Sequence, residues 1–285
     1  MSTTEVDRFL VAAPTLIGHR GLGKGTVTGQ RENTVASMLA ALDAGAHGLE
    51  VDVARTGDGH LVVSHDPVLP DGRFLVDVDR AAAVAAGVAS LDELLAAVPP
   101  GVPVDLDLKS VLEDATEGTA RRTGALLAPM LAEEVRRRPV LVTSFDPAAL
   151  LRLRDAVPEA AYGLLSWIDF PLRHAVAAAA GLELDMVGLH HGSFGPNRVE
   201  PGPVHRSPAV SVAAAHAAGL RVLAWCPEPV LATELVAAGV DALVVNDVAA
   251  AVAARRPVSS GHGPGIGRAD PNDGATGDPG PRPRP

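Results

Sequence analysis

Between residues 15 and 254 the chain alternates short β-branched runs with longer stretches rich in alanine and leucine. The runs are 15–18, 48–53, 61–64, 102–108, 140–144, 161–166, 185–189, 221–225 and 242–245. Helical patterning falls between most of them, over 33–44, 91–98, 115–137, 147–157, 169–180, 208–218, 230–238 and 247–254. Strands that alternate with helices imply a parallel sheet, because each parallel strand needs a crossover to reach its neighbour.

Nine runs are one too many for an eightfold barrel. Only seven residues, 54–60, separate Val53 from Leu61, and they contain Asp58-Gly59. That is too short for a crossover helix, and Asp-Gly is a hairpin turn signal. The run 61–64 is therefore expected to be antiparallel, a hairpin excursion after the second strand. Eight βα units remain, and the predicted fold is α/β, a single (β/α)8 TIM barrel. An open doubly wound sheet is the other arrangement this alternation allows. In a barrel, functional side chains gather at the C-terminal ends of the strands.

Length alone, at 285 residues, suggests two domains, but one barrel uses roughly 250 residues. The last 29 residues hold seven Gly and seven Pro, a composition that resists regular structure. The expected division is a barrel over 1–256 and a disordered tail over 257–285. The net charge of −10, from 24 basic and 34 acidic residues, argues against a nucleic-acid partner, which calls for a basic patch. Cys226 is the only cysteine, so neither an internal disulfide nor a cysteine metal site can form. No apolar stretch approaches the roughly 18 residues of a membrane span. The first ten residues carry Glu5, Asp7 and Arg8 and lack the order of a signal peptide. A cytoplasmic protein is expected.

The ends of the strands carry an uneven load of charge. The first ends in His19-Arg20, the second contains Glu50-Val51-Asp52, and the hairpin ends in His65-Asp66. The next barrel strand reads Asp105-Leu106-Asp107-Leu108-Lys109. Alternation along a strand puts Glu50 and Asp52 on one face, and Asp105, Asp107 and Lys109 on one face. Buried charges are costly unless paired or bound to metal. Glu50, Asp52 and Asp107 make a hard oxygen set for Mg²⁺ or Ca²⁺. His19 and His65 suit acid/base work near neutral pH. Arg20 and Lys109 supply charge for an anion. Together these groups describe phosphoryl chemistry.

The stretches Ile17-Gly18-His19-Arg20-Gly21, Glu32-Asn33-Thr34, Glu50-Val51-Asp52-Val53, Thr56-Gly57-Asp58-Gly59 and Val62-Val63-Ser64-His65-Asp66 resemble the glycerophosphodiester phosphodiesterase family in order and spacing. Weaker similarity continues through Ser90–Leu95, Asp105–Lys109, Ser144-Phe145-Asp146, Val222–Trp225 and Gly239–Asp247. The resemblance implies a barrel like that of phosphatidylinositol phospholipases. It implies hydrolysis of a small-molecule glycerophosphodiester to glycerol 3-phosphate and an alcohol, with a divalent cation, Mg²⁺ or Ca²⁺. By resemblance His19 and His65 are the acid/base pair, Glu50 and Asp52 are metal ligands, and Arg20 contacts phosphate. Lys109 matches the lysine that closes the strand of the third ligand.

The chain departs from the family pattern in several places. The third ligand, usually Glu, is here Asp107, one methylene shorter. Arg31 replaces the usual Pro before Glu32-Asn33-Thr34, and a glycine-containing loop, 21–30, is inserted ahead of it. Cys226-Pro227-Glu228-Pro229 follows Trp225, and the segment between Asp66 and Ser90 is short. Trp225 is a candidate wall for the substrate or a packing residue at the mouth. Asn33 is a candidate helix cap or a site residue, and one of His190 and His191 is a candidate substrate contact. Two other readings stand beside the main one: a lysophospholipase-D-like phosphodiesterase, disfavoured by only 3 % aromatic residues, and a non-catalytic phosphate-binding barrel on a degenerate site.

Overall fold

The computed structural model describes residues 4–255. The proposed tail, 257–285, lies outside the described residues. Eight parallel strands close into a barrel: β1 Thr15–Gly18, β2 Gly48–Arg55, β3 Val104–Leu108, β4 Val140–Ser144, β5 Ala161–Leu165, β6 Met186–His190, β7 Arg221–Trp225 and β8 Ala242–Val245. Each pairs with the next in sequence, and β8 pairs back onto β1. The (β/α)8 fold expected from the sequence is therefore the fold observed.

The hairpin expectation also holds. Leu61–Val63 runs antiparallel to the end of β2, with Val53 opposite Val63. A third short strand, Ala89–Ser90, extends the excursion. Between them the chain folds a turn of 3-10 helix, Leu75–Asp77, and a helix, Arg80–Ala85, over a small core of Ala54, Val62, Leu69, Leu75, Val78 and Ala83.

Alternation along the strands sorts the side chains into two layers. Leu16, Leu49, Val51, Val53, Leu106, Val142, Val187, Val222 and Leu243 point outward against the helices. Ile17, Leu141, Ala161, Met186, Leu223, Ala242 and Val244 fill the lower interior. Since Leu49, Val51 and Val53 face out, Glu50 and Asp52 must face in, and Asp105 and Asp107 follow by the same rule. A barrel interior is a packed core, so its floor also has to be filled. That is done by a helix the sequence reading did not anticipate, Glu5–Phe9, capped by Thr4. Its fully buried Phe9 packs into the inner cluster beneath the strands.

Three helices differ from expectation at their starts. The first runs Val35–Asp43, with Thr34 as its cap, so Asn33 is released for another role. The stretch 115–137 is broken at Gly118, and only Thr123–Arg137 is α-helical. Pro171 delays the helix expected from 169 to Leu172–Gly181. Loop 21–30 contains half of a small hairpin, Thr26–Val27 against Gln30–Arg31. Thr28 and Gly29 turn it at φ 46° and 83°, the positive pair a tight hairpin turn requires.

Phe9→Ala is expected to cost about 3–5 kcal/mol of stability, the usual range for emptying a buried aromatic site. Guanidinium unfolding measures it. A loss below about 1 kcal/mol would mean that this helix does not close the floor.

Candidate active site

The β2–β3 register assembles the site. Glu50 lies opposite Asp105 and Asp52 opposite Asp107, so four carboxylates share one inner corner. All four are buried. Oxygens of Glu50, Asp52 and Asp107 lie within 4.8 Å of one another. Two oxygens on opposite sides of an ion held at about 2.4 Å would be separated by about 4.8 Å, so the spacing fits one hard cation. Asp107 Oδ1 is buried and accepts no hydrogen bond from the protein, as a ligand atom would be. The shorter side chain of Asp107 therefore still reaches the group.

Two cations brace the corner. Lys109 Nζ lies 2.9 Å from Asp52 Oδ1 and also bonds Asp107. Arg20 Nε lies 3.3 Å from Asp52 Oδ2, and its Nη1 donates to Glu32. Asn33 Nδ2 donates to Asp52 Oδ2 at 2.8 Å, which makes Asn33 a site residue rather than a cap. Burial works to raise the Asp52 carboxyl, but Lys109 and Arg20 outweigh it and hold it below the usual carboxylate range. Burial, followed by the neighbouring Asp52 and Asp107, pushes Glu50 well up. Burial also raises Asp107 and Asp105, against Lys109 for the first and a Thr143 hydrogen bond for the second. Burial works to lower Lys109, yet Asp107, Asp52 and Glu50 leave it above its ordinary value.

The turn after β1 delivers His19 and Arg20. A Cβ on Gly18 would stand 2.2 Å from the Gly21 carbonyl, so only glycine allows the chain to double back there. Arg20 itself adopts φ 53°, a conformation that costs a non-glycine residue of order 1–3 kcal/mol. Its backbone N–H donates to Glu50 Oε2 at 2.7 Å, offsetting that cost. His19 Nδ1 lies 2.6 Å from Asn246 Oδ1, and Nε2 lies 4.0 Å from Glu50. Cys226 Sγ sits 3.4 Å from the same Nδ1. His65, at the end of the hairpin, is half-exposed and holds Nδ1 2.8 Å from Asp66.

A cavity of about 390 Å³ joins these groups, with His19, Arg20, Glu50, His65, Asp107 and Lys109 on one side and Phe145, Trp167, His190 and Trp225 on the other. Trp225 stands edge-on to Phe145, and Phe145 stacks on Trp167 at 4.3 Å between ring centroids. Every expected site residue therefore meets in one cavity or its immediate floor. Sequence reasoning gave no role to Asn246, Asp105, Phe145 or Trp167. Asn246 and Phe145 each directly follow a strand, and Trp167 follows the expected run 161–166, so position at a strand end was the available signal for all three. A second cavity of about 690 Å³ shares His65, Lys109, Phe145 and Trp167 with the first. Phe74, Trp167 and Leu112, which are 50, 65 and 84 % exposed, line it, with Asp66, Asp77, Glu113 and Asp146 among its polar residues.

A TIM barrel whose mouth combines buried carboxylates, paired cations and two histidines has the makings of a hydrolase acting on an anionic ester. Residues 19–250 match the Glycerophosphoryl diester phosphodiesterase family, and the chain belongs to it. A glycerophosphodiester phosphodiesterase of Caldanaerobacter subterraneus subsp. tengcongensis is 49 % identical over 51 residues, 18 % of this chain and 19 % of that one. The aligned stretch thus spans about a fifth of the relative's length. Two solved structures share the fold over most of the chain. The glycerophosphodiester phosphodiesterase of Thermotoga maritima has TM-score 0.64 and 19 % identity, covering 85 % of this chain and 98 % of that one. An Oleispira antarctica phosphodiesterase in complex with the product sn-glycerol-3-phosphate has TM-score 0.66 and 24 % identity, covering 85 % and 96 %. No helix among the described residues is long and apolar enough to cross a membrane.

The carboxylate cluster leads to a direct expectation. A divalent cation at 100 times its dissociation constant should stabilise the fold by about 2.7 kcal/mol, seen as a rise in Tm by scanning calorimetry. Glu50→Gln should abolish most of that rise. An equal rise in the variant would place the cation elsewhere.

Proposed function

We propose that this protein hydrolyses glycerophosphodiesters to glycerol 3-phosphate and an alcohol, with Mg²⁺ or Ca²⁺ as cofactor and His19 and His65 as the acid/base pair. The observation that carries the reading is the buried group Glu50, Asp52 and Asp107, its oxygens within 4.8 Å of one another, beside both histidines in one cavity. Membership of the family supports it, as does the likeness to a phosphodiesterase in complex with sn-glycerol-3-phosphate. The net charge of −10 suits a small-molecule substrate rather than nucleic acid, and we place the enzyme in the cytoplasm.

Glu50, Asp52 and Asp107 would hold the cation, which when bound supplies positive charge against the phosphate and acidifies an oxygen it touches. Arg20 and Lys109 face the same anion from the protein side. Each histidine has its Nδ1 beside an oxygen, Asn246 Oδ1 for His19 and Asp66 Oδ1 for His65. With the proton on Nδ1, each ring keeps Nε2 for the reaction. One Nε2 takes a proton from the attacking oxygen, either water or a neighbouring glycerol hydroxyl. The other histidine returns a proton to the leaving alkoxide, so the pair ends each cycle ready for the next after exchange with solvent. Trp225 forms part of the wall beside the substrate.

One observation favours a second reading, a lysophospholipase-D-like activity. Four of the eight aromatic residues gather around the two cavities. Phe74, Phe145, Trp167 and Trp225 line these two adjoining cavities, and Phe170 is exposed close by in sequence to Trp167. The second cavity could take an acyl chain. The non-catalytic barrel rested on the shorter Asp107, and the 4.8 Å grouping argues against it.

The test is release of glycerol 3-phosphate from glycerophosphocholine and glycerophosphoethanolamine with Mg²⁺ or Ca²⁺. His19→Ala and His65→Ala should each lower kcat by about 10²–10⁴-fold. Activity that survives both substitutions and a chelator would overturn the reading. Lysophosphatidylcholine, assayed in parallel, tests the second. Leu112→Ser should then reduce its kcat/KM about tenfold, the equivalent of roughly 1.4 kcal/mol of lost apolar contact. No turnover of the lysolipid would exclude that reading.

A further inference from the structure

His190 is a half-buried titratable group that the proposed chemistry does not use. It ends β6, and the barrel is circular, so β6 stands four strands from β2 in either direction. His190 therefore faces the carboxylate corner from the opposite wall. That wall is apolar: Leu165, Trp167, Ile168, Leu223 and Trp225 line the cavity there with His190 among them.

The ring is fixed by its own backbone. Gly192 N–H donates to His190 Nδ1 at 3.0 Å, capping the short 3-10 helix His191–Phe194. A Cβ at Gly192 would stand 2.8 Å from Asp169 Oδ1 and 3.1 Å from that Nδ1, so glycine is what lets the amide come this close. The ring stands edge-on to Trp225 at 4.4 Å and contacts His191 at 4.1 Å. Burial, followed by the adjacent His191, pushes its pKa down to about 4, against a weaker pull from Asp169. The imidazole is thus neutral at working pH. A neutral imidazole that accepts a hydrogen bond at Nδ1 carries its one proton on Nε2. That wall therefore presents an uncharged, orientated imidazole N–H beside the buried Trp225 Nε1–H, which has no partner among the described residues.

An uncharged donor set opposite the proposed phosphate site matches a substrate that is anionic at one end and hydroxylated at the other. We propose that His190 is a specificity residue whose Nε2–H donates to the terminal hydroxyl of the glycerol arm, the one remote from the phosphate, while the phosphate occupies the β1–β3 edge. This rests on the phosphodiesterase reading above. Without His190 a bound hydroxyl would lose the one imidazole donor on a wall otherwise made of aliphatic and indole side chains, the kind of loss that separates hydroxylated substrates from their deoxy analogues.

The experiment compares glycerophosphocholine with 2-hydroxypropylphosphocholine, the same diester lacking only the terminal hydroxyl, in wild type, His190→Phe and His190→Gln. Wild type should favour the glycerol diester by about tenfold to a hundredfold in kcat/KM, the usual scale for one lost hydrogen bond. His190→Phe keeps a ring against Trp225 but removes the donor. It should bring the ratio to within about threefold of one, through a higher KM for the glycerol diester. His190→Gln keeps a donor and should retain most of the preference. Preference undiminished in His190→Phe, or equal losses on both diesters in both variants, would overturn the proposal. Equal wild-type turnover of the two diesters would overturn it alone, whereas turnover of neither would overturn the phosphodiesterase reading itself.

Discussion

The register between β2 and β3 is the constraint on which the site depends. It sets Glu50 opposite Asp105 and Asp52 opposite Asp107, so four carboxylates enter the barrel interior together. Taking even one carboxylate out of water is expensive. Lys109, two residues beyond Asp107 on the same face, bonds Asp52 and Asp107, and Arg20 approaches Asp52 from the neighbouring β1 turn. A slip of one residue would turn every one of these groups outward and put Leu49, Val51, Leu106 and Leu108 inside. The outward apolar set and the inward charged set specify the same register.

The rest of the barrel serves this corner by holding it still and keeping it partly dry. Phe9 closes the floor under the inner cluster, so water reaches the carboxylates from the mouth. At the mouth, His19 is held by Asn246 from β8, the strand next to β1, and His65 arrives on the antiparallel excursion. The site thus draws on β1, β2 and β3 for charge, on the end of β8 for Asn246, and on β4 to β7 for its aromatic wall. One side of the cavity carries the charged groups and the other is mostly aromatic and aliphatic, with His190 among them.

Much of this was legible in the sequence. The eightfold fold came from counting β-branched runs and noticing that 54–60 cannot hold a helix. The inward face came from Glu50-Val51-Asp52 and Asp105-Leu106-Asp107, where strict alternation leaves no other choice. What escaped was decided by packing or by competition between neighbours. The helix Glu5–Phe9 forms because the barrel floor needs a plug, which its short sequence does not announce. Thr34 took the cap position and left Asn33 for Asp52, a contest that propensity alone does not decide. The 3 % of aromatics argued against an apolar substrate as a total. The placement of four of them around two adjoining cavities reopens that question, because composition carries no positions.

The central claim is that Glu50, Asp52 and Asp107 hold one divalent cation at the place where a phosphodiester is cleaved. It is tested most directly by a crystal structure with Mn²⁺ and glycerol 3-phosphate, read by anomalous scattering at the manganese edge. The account expects one strong peak within about 2.0–2.6 Å of an oxygen from each carboxylate, with phosphate density beside it in the cavity shared by His19 and His65. A peak bound elsewhere, or none while Lys109 alone joins Asp52 to Asp107, would contradict it.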